Sequence, residues 1–480
     1  MLSFKEKTKT LIIPRDFNGE LIDLPEDIEE VWYRLNDTKL LNKLPANIKK
    51  LHFGSKFNQP LENIPNVIEL GFGFNFNQPI GVSTLPNSLT HLIFRHDFNQ
   101  PIGVGTLPNS LTYLRFGSNF NQPIGVSTLP NSLTHLIFGY SFNQPIDFLP
   151  QSIKFLTFGS CFRKPINVEL LPKNLELLIF GLNSNHTINN LPKSLVELKI
   201  SQNFDEPINE NVLPPNLKSI EFGCKFNKPL CNLPESLEKL KLGYKFNQSV
   251  DSLPPNLKKI IFGFTFDKPV NSLPPNVIKL KFGYKFNQSV DKLPKSLTHL
   301  SFGRVFNQSV DLLPVNLLRL ELNQKFNQSV DNLPENLEKL IFSENSIFNK
   351  PIKNLPKKLL MLKLGNDFTQ PLDELPTSLK YIVFGNNYNQ DIEHLPKNLN
   401  YGFYSGCSLL DNIPNDITRI TIYFDLIKTN NPDIKNINSS VKRIKINYPS
   451  AIEYIKKIPF GCTVVNFDNK ILFPKKNSLT

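Results

Sequence analysis

The chain has 480 residues, 40% of them hydrophobic, with 54 Lys and Arg against 42 Asp and Glu, a net charge of +12 and a pI near 9.2. No apolar run approaches the roughly 20 residues of a membrane span, and the start carries charges around one short apolar patch, Leu11–Ile13, so an intracellular, cytoplasmic protein without a membrane partner is expected. Five cysteines (Cys161, Cys224, Cys231, Cys407, Cys462) with no C-x-x-C speak against a disulfide or zinc framework and read as free thiols in or near the core.

Residues 1–7 form a lead-in. Thr8–Ile13 then reads as a strand, with Leu11 and Ile13 on one face, followed by Phe17-Asn18. Leu24-Pro25 opens the next segment, in which Ile28, Val31 and Tyr33 are the inward positions and Trp32 points outward. From Pro45 to about Pro396 the same unit returns at intervals of mostly 20 and sometimes 22 residues, marked by Leu-Pro before each strand and Phe-Asn after it. A fixed period of this length is the signature of a stacked-coil array.

The clearest copy is Leu129–Leu149, LPNSLTHLIFGYSFNQPIDFL. With Leu133 as position 1, Leu136 and Phe138 fall at positions 4 and 6, alternating as in a half-buried strand. Gly139 relieves the turn, Phe142 points in again, and Asn143 is placed to bond backbone groups of a neighbouring coil. Pro145 and Pro150 keep the return path from becoming helical, and Ile146 and Leu149 are its inward residues. About six apolar side chains per coil cannot be shielded within one coil; stacking shields them. The longer coils gain their two residues in the return loop, as in PIGVSTLP against PIDFLP.

The coil at Ser184-Asn185 lacks its aromatic residue. After Pro414 the pattern decays through Ile417-x-x-Ile420-x-Ile422, Val441-x-x-Ile444-x-Ile446 and Val465/Phe467, with a short helix expected at Ser450–Lys457. The expected organisation is a half-repeat cap at 1–23, the array at 24–413, degenerate repeats and a cap at 414–467, and a polar tail at 468–480. The expected fold is mainly β: a single right-handed solenoid with one short parallel strand per coil and extended, non-helical returns.

L-x-x-L-x-F with a preceding Leu-Pro resembles the leucine-rich-repeat strand of the short bacterial type. F-N-Q-P-I at Phe142–Ile146, with L-P-x-S-L, is more specifically similar to the FNIP repeat, known from social amoebae and large amoeba-infecting viruses, over about residues 8–467. The resemblance implies a repeat scaffold, in host cytoplasm if viral. Some FNIP proteins carry an F-box. Leu24–Ile28 looks like an F-box opening only superficially, because it fits the repeat register and leaves no room for a helical domain.

Positions 3 and 5 of successive strands form columns on the outer sheet face. The position-3 column starts aromatic, with His91, Tyr113 and His135, and becomes basic at Lys239, Lys259, Lys279, His299, Arg319 and Lys339. Lys241 and Lys281 join at position 5, as do Lys199 and Lys363. Their two readings are a solvated face and a surface for an acidic partner. Lysine dominates over arginine and aromatics, so nucleic acid is not favoured.

No phosphate loop, nucleophile elbow or metalloprotease motif appears, and acids such as Asp251, Asp291, Asp311 and Asp331 recur in one repeat slot. No enzyme, cofactor or metal is therefore expected. The function expected is a protein–protein interaction scaffold of unknown ligand. The alternatives are polyanion binding through the basic middle of the sheet face, and a lineage-expanded structural array without a dedicated ligand.

Overall fold

Short strands form where the alternating positions 4 and 6 bury their side chains. In the copy singled out above, Leu133, Leu136, Phe138, Phe142, Ile146 and Leu149 are all buried, none more than 6% exposed. The computed structural model describes residues 2–183, 188–392, 395, 399–404, 406–411, 413–415, 417–424 and 433–473. Ser184-Asn185, where the aromatic is missing, lies outside the described residues, as does the chain beyond 473.

The chain divides into two compact units, Met1–Tyr244 and Lys245–Thr480. In the first, an antiparallel hairpin pairs Ser3–Lys5 with Thr10–Ile13. Parallel strands follow in coil order, from Glu30–Tyr33 and Lys50–Phe53 on to Ser219–Glu221 and Lys239–Lys241. In the second, parallel strands run from Lys259–Ile261 to Thr463–Asn466, and Ile471–Phe473 turns back antiparallel on the last of them. That turn-back uses part of the stretch expected to be a polar tail. A 3-10 helix, Pro449–Tyr454, stands where the short helix was expected. Each unit is thus a leucine-rich-repeat-like β-solenoid with one short strand per coil and extended returns.

Three ladders hold neighbouring coils in register. Phe138 and Phe142 stack within their coil at 3.7 Å, and Phe142 lies 6.1 Å from Phe120 and 6.0 Å from Phe162 in the coils on either side. Asparagine forms the second ladder. Asn143 N–H donates to Asn121 Oδ1 at 2.8 Å, Asn121 N–H to Asn99 Oδ1 at 2.9 Å, and Asn99 N–H to Asn77 Oδ1 at 2.9 Å. Each amide oxygen thereby satisfies a backbone donor that the extended return path would leave orphaned. The serine of L-P-x-S-L makes the third: Ser132 Oγ donates to Leu111 O at 2.6 Å and Ser152 Oγ to Leu133 O at 2.7 Å.

At Gly117 and Gly139, glycine after the strand is required by close approach. A Cβ on Gly139 would fall 1.8 Å from Gly117 O, and one on Gly117 would fall 1.4 Å from Arg95 O. No side chain fits at such distances without moving the backbone. The aspartates of the later coils are also accounted for locally: Ser289 Oγ donates to Asp291 Oδ2 at 2.8 Å and Ser309 Oγ to Asp311 Oδ2 at 2.7 Å, closing the return turn.

The thiols correct one expectation. Cys407 and Cys462 are buried and Cys161 is half-buried, but Cys224 and Cys231 are exposed. Cys224 falls in the turn after a strand and Cys231 in the return loop, at positions that point outward.

Candidate functional site

The parallel register brings the position-3 residues into columns. In the first unit His91 stacks on Tyr113 at 5.4 Å, Tyr113 meets His135 at 5.8 Å, and His135 stacks on Phe155 at 4.2 Å. Threonine one residue earlier fixes each imidazole: Thr90 Oγ1 lies 2.9 Å from His91 Nδ1, and Thr134 Oγ1 lies 2.8 Å from His135 Nδ1. Burial pushes the His135 pKa down, and the charge of His91 adds to the effect. Lys239 lies at the far end of this unit, opposite Ser219. Lys241, beside it at position 5, forms an ion pair with Glu221.

In the second unit the basic column is contiguous. Lys259 is in register with Lys279, Lys279 with His299, His299 with Arg319, and Arg319 with Lys339. Lys259, Lys279, His299 and Arg319, together with Lys281 and Glu321, border a shallow concavity of about 320 Å³. Arg319 Nε donates to Glu321 Oε1 at 2.7 Å, whereas Lys259, Lys279, Lys281 and Lys339 have no ion pair among the described residues. Burial lowers the His299 pKa first, and the charges of Lys279, Arg319 and Lys339 lower it further.

Position 5 is less uniform than its lysines suggest. Lys199 Nζ lies 3.8 Å from Glu197. Lys363 is not a free surface cation at all. Its ammonium sits 5.1 Å from the Tyr404 ring and 5.3 Å from the Tyr423 ring, where burial lowers its pKa. No group of three or more His, Cys, Asp or Glu among the described residues is arranged to hold a metal.

Sequence reading missed a groove. It occupies about 750 Å³ in the first unit and follows the turns after the strands between residues 93 and 182. Its floor is the position-5 side chains Ile93, Ile137 and Ile179 and the glycines at position 7. Phe74, Tyr140 and Leu182 rise from position 8, about half exposed, and Arg95 and Arg115 supply positive charge. Position 5 projects from the same face as the His91–Tyr113–His135 column, two residues along each strand. Position 8 lies after the strand and outside the strand columns, and its residue changes from coil to coil, so the sequence pattern carries no signal for it.

A model of the FNIP repeat matches residues 37–75, 64–97, 98–141, 142–183, 183–225, 226–265, 266–304 and 368–401, together more than half of the chain. The chain belongs to the FNIP repeat family. Among solved structures, these FNIP coils are similar to CroV588, a circular leucine-rich-repeat protein of the giant virus CroV. The two are 35% identical, the alignment covers 94% of this chain and 81% of CroV588, and the TM-score is 0.70. YopM from Yersinia enterocolitica is more distant, 19% identical over 87% of this chain and 91% of its own, with a TM-score of 0.49. No curated protein matches the FNIP chain. No helix among its described residues is long and apolar enough to cross a membrane.

Proposed function

We propose that this FNIP protein is a non-enzymatic protein-interaction scaffold acting inside the cell. The observation that supports this most is the groove of the first unit, a long apolar floor bordered by half-exposed Phe74, Tyr140 and Leu182. Rigid aromatic and aliphatic anchors around a preformed depression are what protein partners use as binding hot spots. The stacked His91–Tyr113–His135 column extends the same face. Arg95 and Arg115 favour a partner segment that carries acids beside its apolar residues. Two exposed thiols, Cys224 and Cys231, suit a reducing compartment.

The test is affinity capture from amoebal lysate on the immobilised full chain at moderate salt. A discrete protein retained by the wild type and lost by Tyr140→Glu/Leu182→Glu is the expected result. Equal retention by the variant, or no protein retained at all, would remove the groove from the proposal.

A second reading rests on the second unit. Four lysines there, Lys259, Lys279, Lys281 and Lys339, lie on one face with no ion pair among the described residues. That face suits an acidic protein surface, held mainly by charge.

A further inference from the structure

We propose a nucleotide-binding site at the amino-terminal coils of the first unit, selective for a ligand that joins a phosphate to a planar base, either free or as a residue of a single strand. The site is a depression of about 330 Å³ lined by Arg15, Arg34, Lys56 and Arg95 together with Trp32 and Phe74. Its four cations come from four separate coils, so only the stacked fold brings them together.

The charge balance of the depression is one-sided. No Asp or Glu lines it. None of its four cations is in an ion pair among the described residues, although lysines elsewhere in the same unit are paired, Lys50 with Glu69 at 3.1 Å and Lys154 with Glu176 at 3.0 Å. The acids nearest in sequence are engaged elsewhere or face other partners. Glu30 accepts hydrogen bonds from Trp32 Nε1 at 2.8 Å and Thr10 Oγ1 at 3.1 Å, and Asp97 is bonded to His96 Nδ1 at 2.6 Å. Asp16, beside Arg15, does not line the depression. Like charges gathered in a concave site raise its affinity for an anion, and a guanidinium presents a fork that matches phosphate oxygens in pairs.

The aromatic residues decide which anion. Trp32 is held in place by its bond to Glu30 and by contact with His52 at 4.8 Å, while Phe74 is 50% exposed with the Arg95 guanidinium 5.7 Å from its ring centre. A carboxylate-rich peptide gains nothing from two preset ring faces. A base gains a stacking surface. The volume admits one nucleotide. Arginine interleaved with aromatics is the feature the lysine column of the second unit lacks, and it sets this site apart from that column.

Trp32 is the single tryptophan of the chain, so the site carries its own reporter. The experiment titrates the full chain with ADP, with an eight-nucleotide single strand of RNA, with inorganic pyrophosphate and with a phosphotyrosine peptide, following tryptophan fluorescence and, for labelled RNA, anisotropy. Saturable quenching by ADP or by the single strand is expected, and the two arms distinguish a free nucleotide from a strand. Arg34→Glu/Arg95→Glu, both exposed positions, should weaken that binding at least tenfold by anisotropy with the fold intact by circular dichroism. Lys259→Glu/Lys279→Glu should leave it unchanged. Three results would overturn the site: no response to either nucleotide form, a response to pyrophosphate or the phosphotyrosine peptide alone, or nucleotide binding that survives Arg34→Glu/Arg95→Glu.

Discussion

A single side-chain oxygen per coil carries much of the coil-to-coil specificity. Asn121 Oδ1 accepts from Asn143 N–H at 2.8 Å and from Gln144 Nε2 at 3.2 Å, both in the next coil. Removing it leaves a part-buried backbone donor unpaired, which costs about 1–3 kcal/mol. Asn121→Ala should therefore lower the unfolding free energy by about 1–3 kcal/mol and move the denaturation midpoint down accordingly. Asn121→Asp should cost far less, because the protein already uses aspartate there. Asp205 Oδ1 accepts from Asn227 N–H, and Asp267 Oδ1 from Asn287 N–H, each at 2.9 Å. Chemical denaturation of the two variants side by side checks this; equal losses would show that the oxygen acceptor is not what matters.

His52 makes a pH-dependent contribution of definite sign. It is 16% exposed and lies 3.5 Å from Glu30 and 3.7 Å from Glu69, yet burial outweighs both carboxylates and lowers its pKa. The imidazole is therefore kept neutral in the fold, while the unfolded chain takes up the proton near 6.5. Its contribution is complete above that value and is lost as pH falls from it through the lower folded value, since the unfolded state then binds more protons. His135 and His299 act in the same direction, so the wild type alone cannot isolate His52. The drop in midpoint between pH 8 and pH 5 should be smaller for His52→Gln than for the wild type. An identical drop would remove His52 from the account.

At the scale of the element, the ends of each unit carry a different problem from its coils. A parallel strand inside the stack is paired on both sides; an end strand offers a bare edge. We propose that the terminal hairpins serve as caps. Ser3–Lys5 pairs antiparallel with Thr10–Ile13, and Phe4 lies opposite buried Leu11. At the other end Ile471–Phe473 pairs antiparallel with Thr463–Asn466. Deleting residues 1–7 should bare the edge of Thr10–Ile13, lower the melting temperature and produce concentration-dependent self-association, read by light scattering. A monomer that melts like the full chain would show that the hairpin caps nothing. The coils themselves were legible in the sequence because one period fixes strand, turn and return together. All six inward residues of Leu129–Leu149 are buried for that reason. The groove was not legible. It is made by position 8, whose residue changes from Phe74 to His96, Ser118 and Tyr140 in successive coils, so no period marks it.

For the molecule as a whole, the question is whether the excess of positive charge acts as a diffuse field or through one face. The net charge of +12 belongs to the whole chain, and a diffuse field depends only on that total. The basic column depends on place. Lys259, Lys279 and Lys339 share one face and have no ion pairs among the described residues, whereas Lys9, Lys154 and Lys456 are each paired with an acid. Changing either trio to glutamate removes the same charge, 12 − 6 = +6. Immobilised poly-glutamate, which has acids but no planar groups, distinguishes the two cases by the salt needed for elution. If the column is an acidic-partner surface, Lys259→Glu/Lys279→Glu/Lys339→Glu should elute at much lower salt than Lys9→Glu/Lys154→Glu/Lys456→Glu. If both trios shift equally, the lysines act only through net charge. The face is then a solvated one, and partner recognition falls to the apolar groove of the first unit.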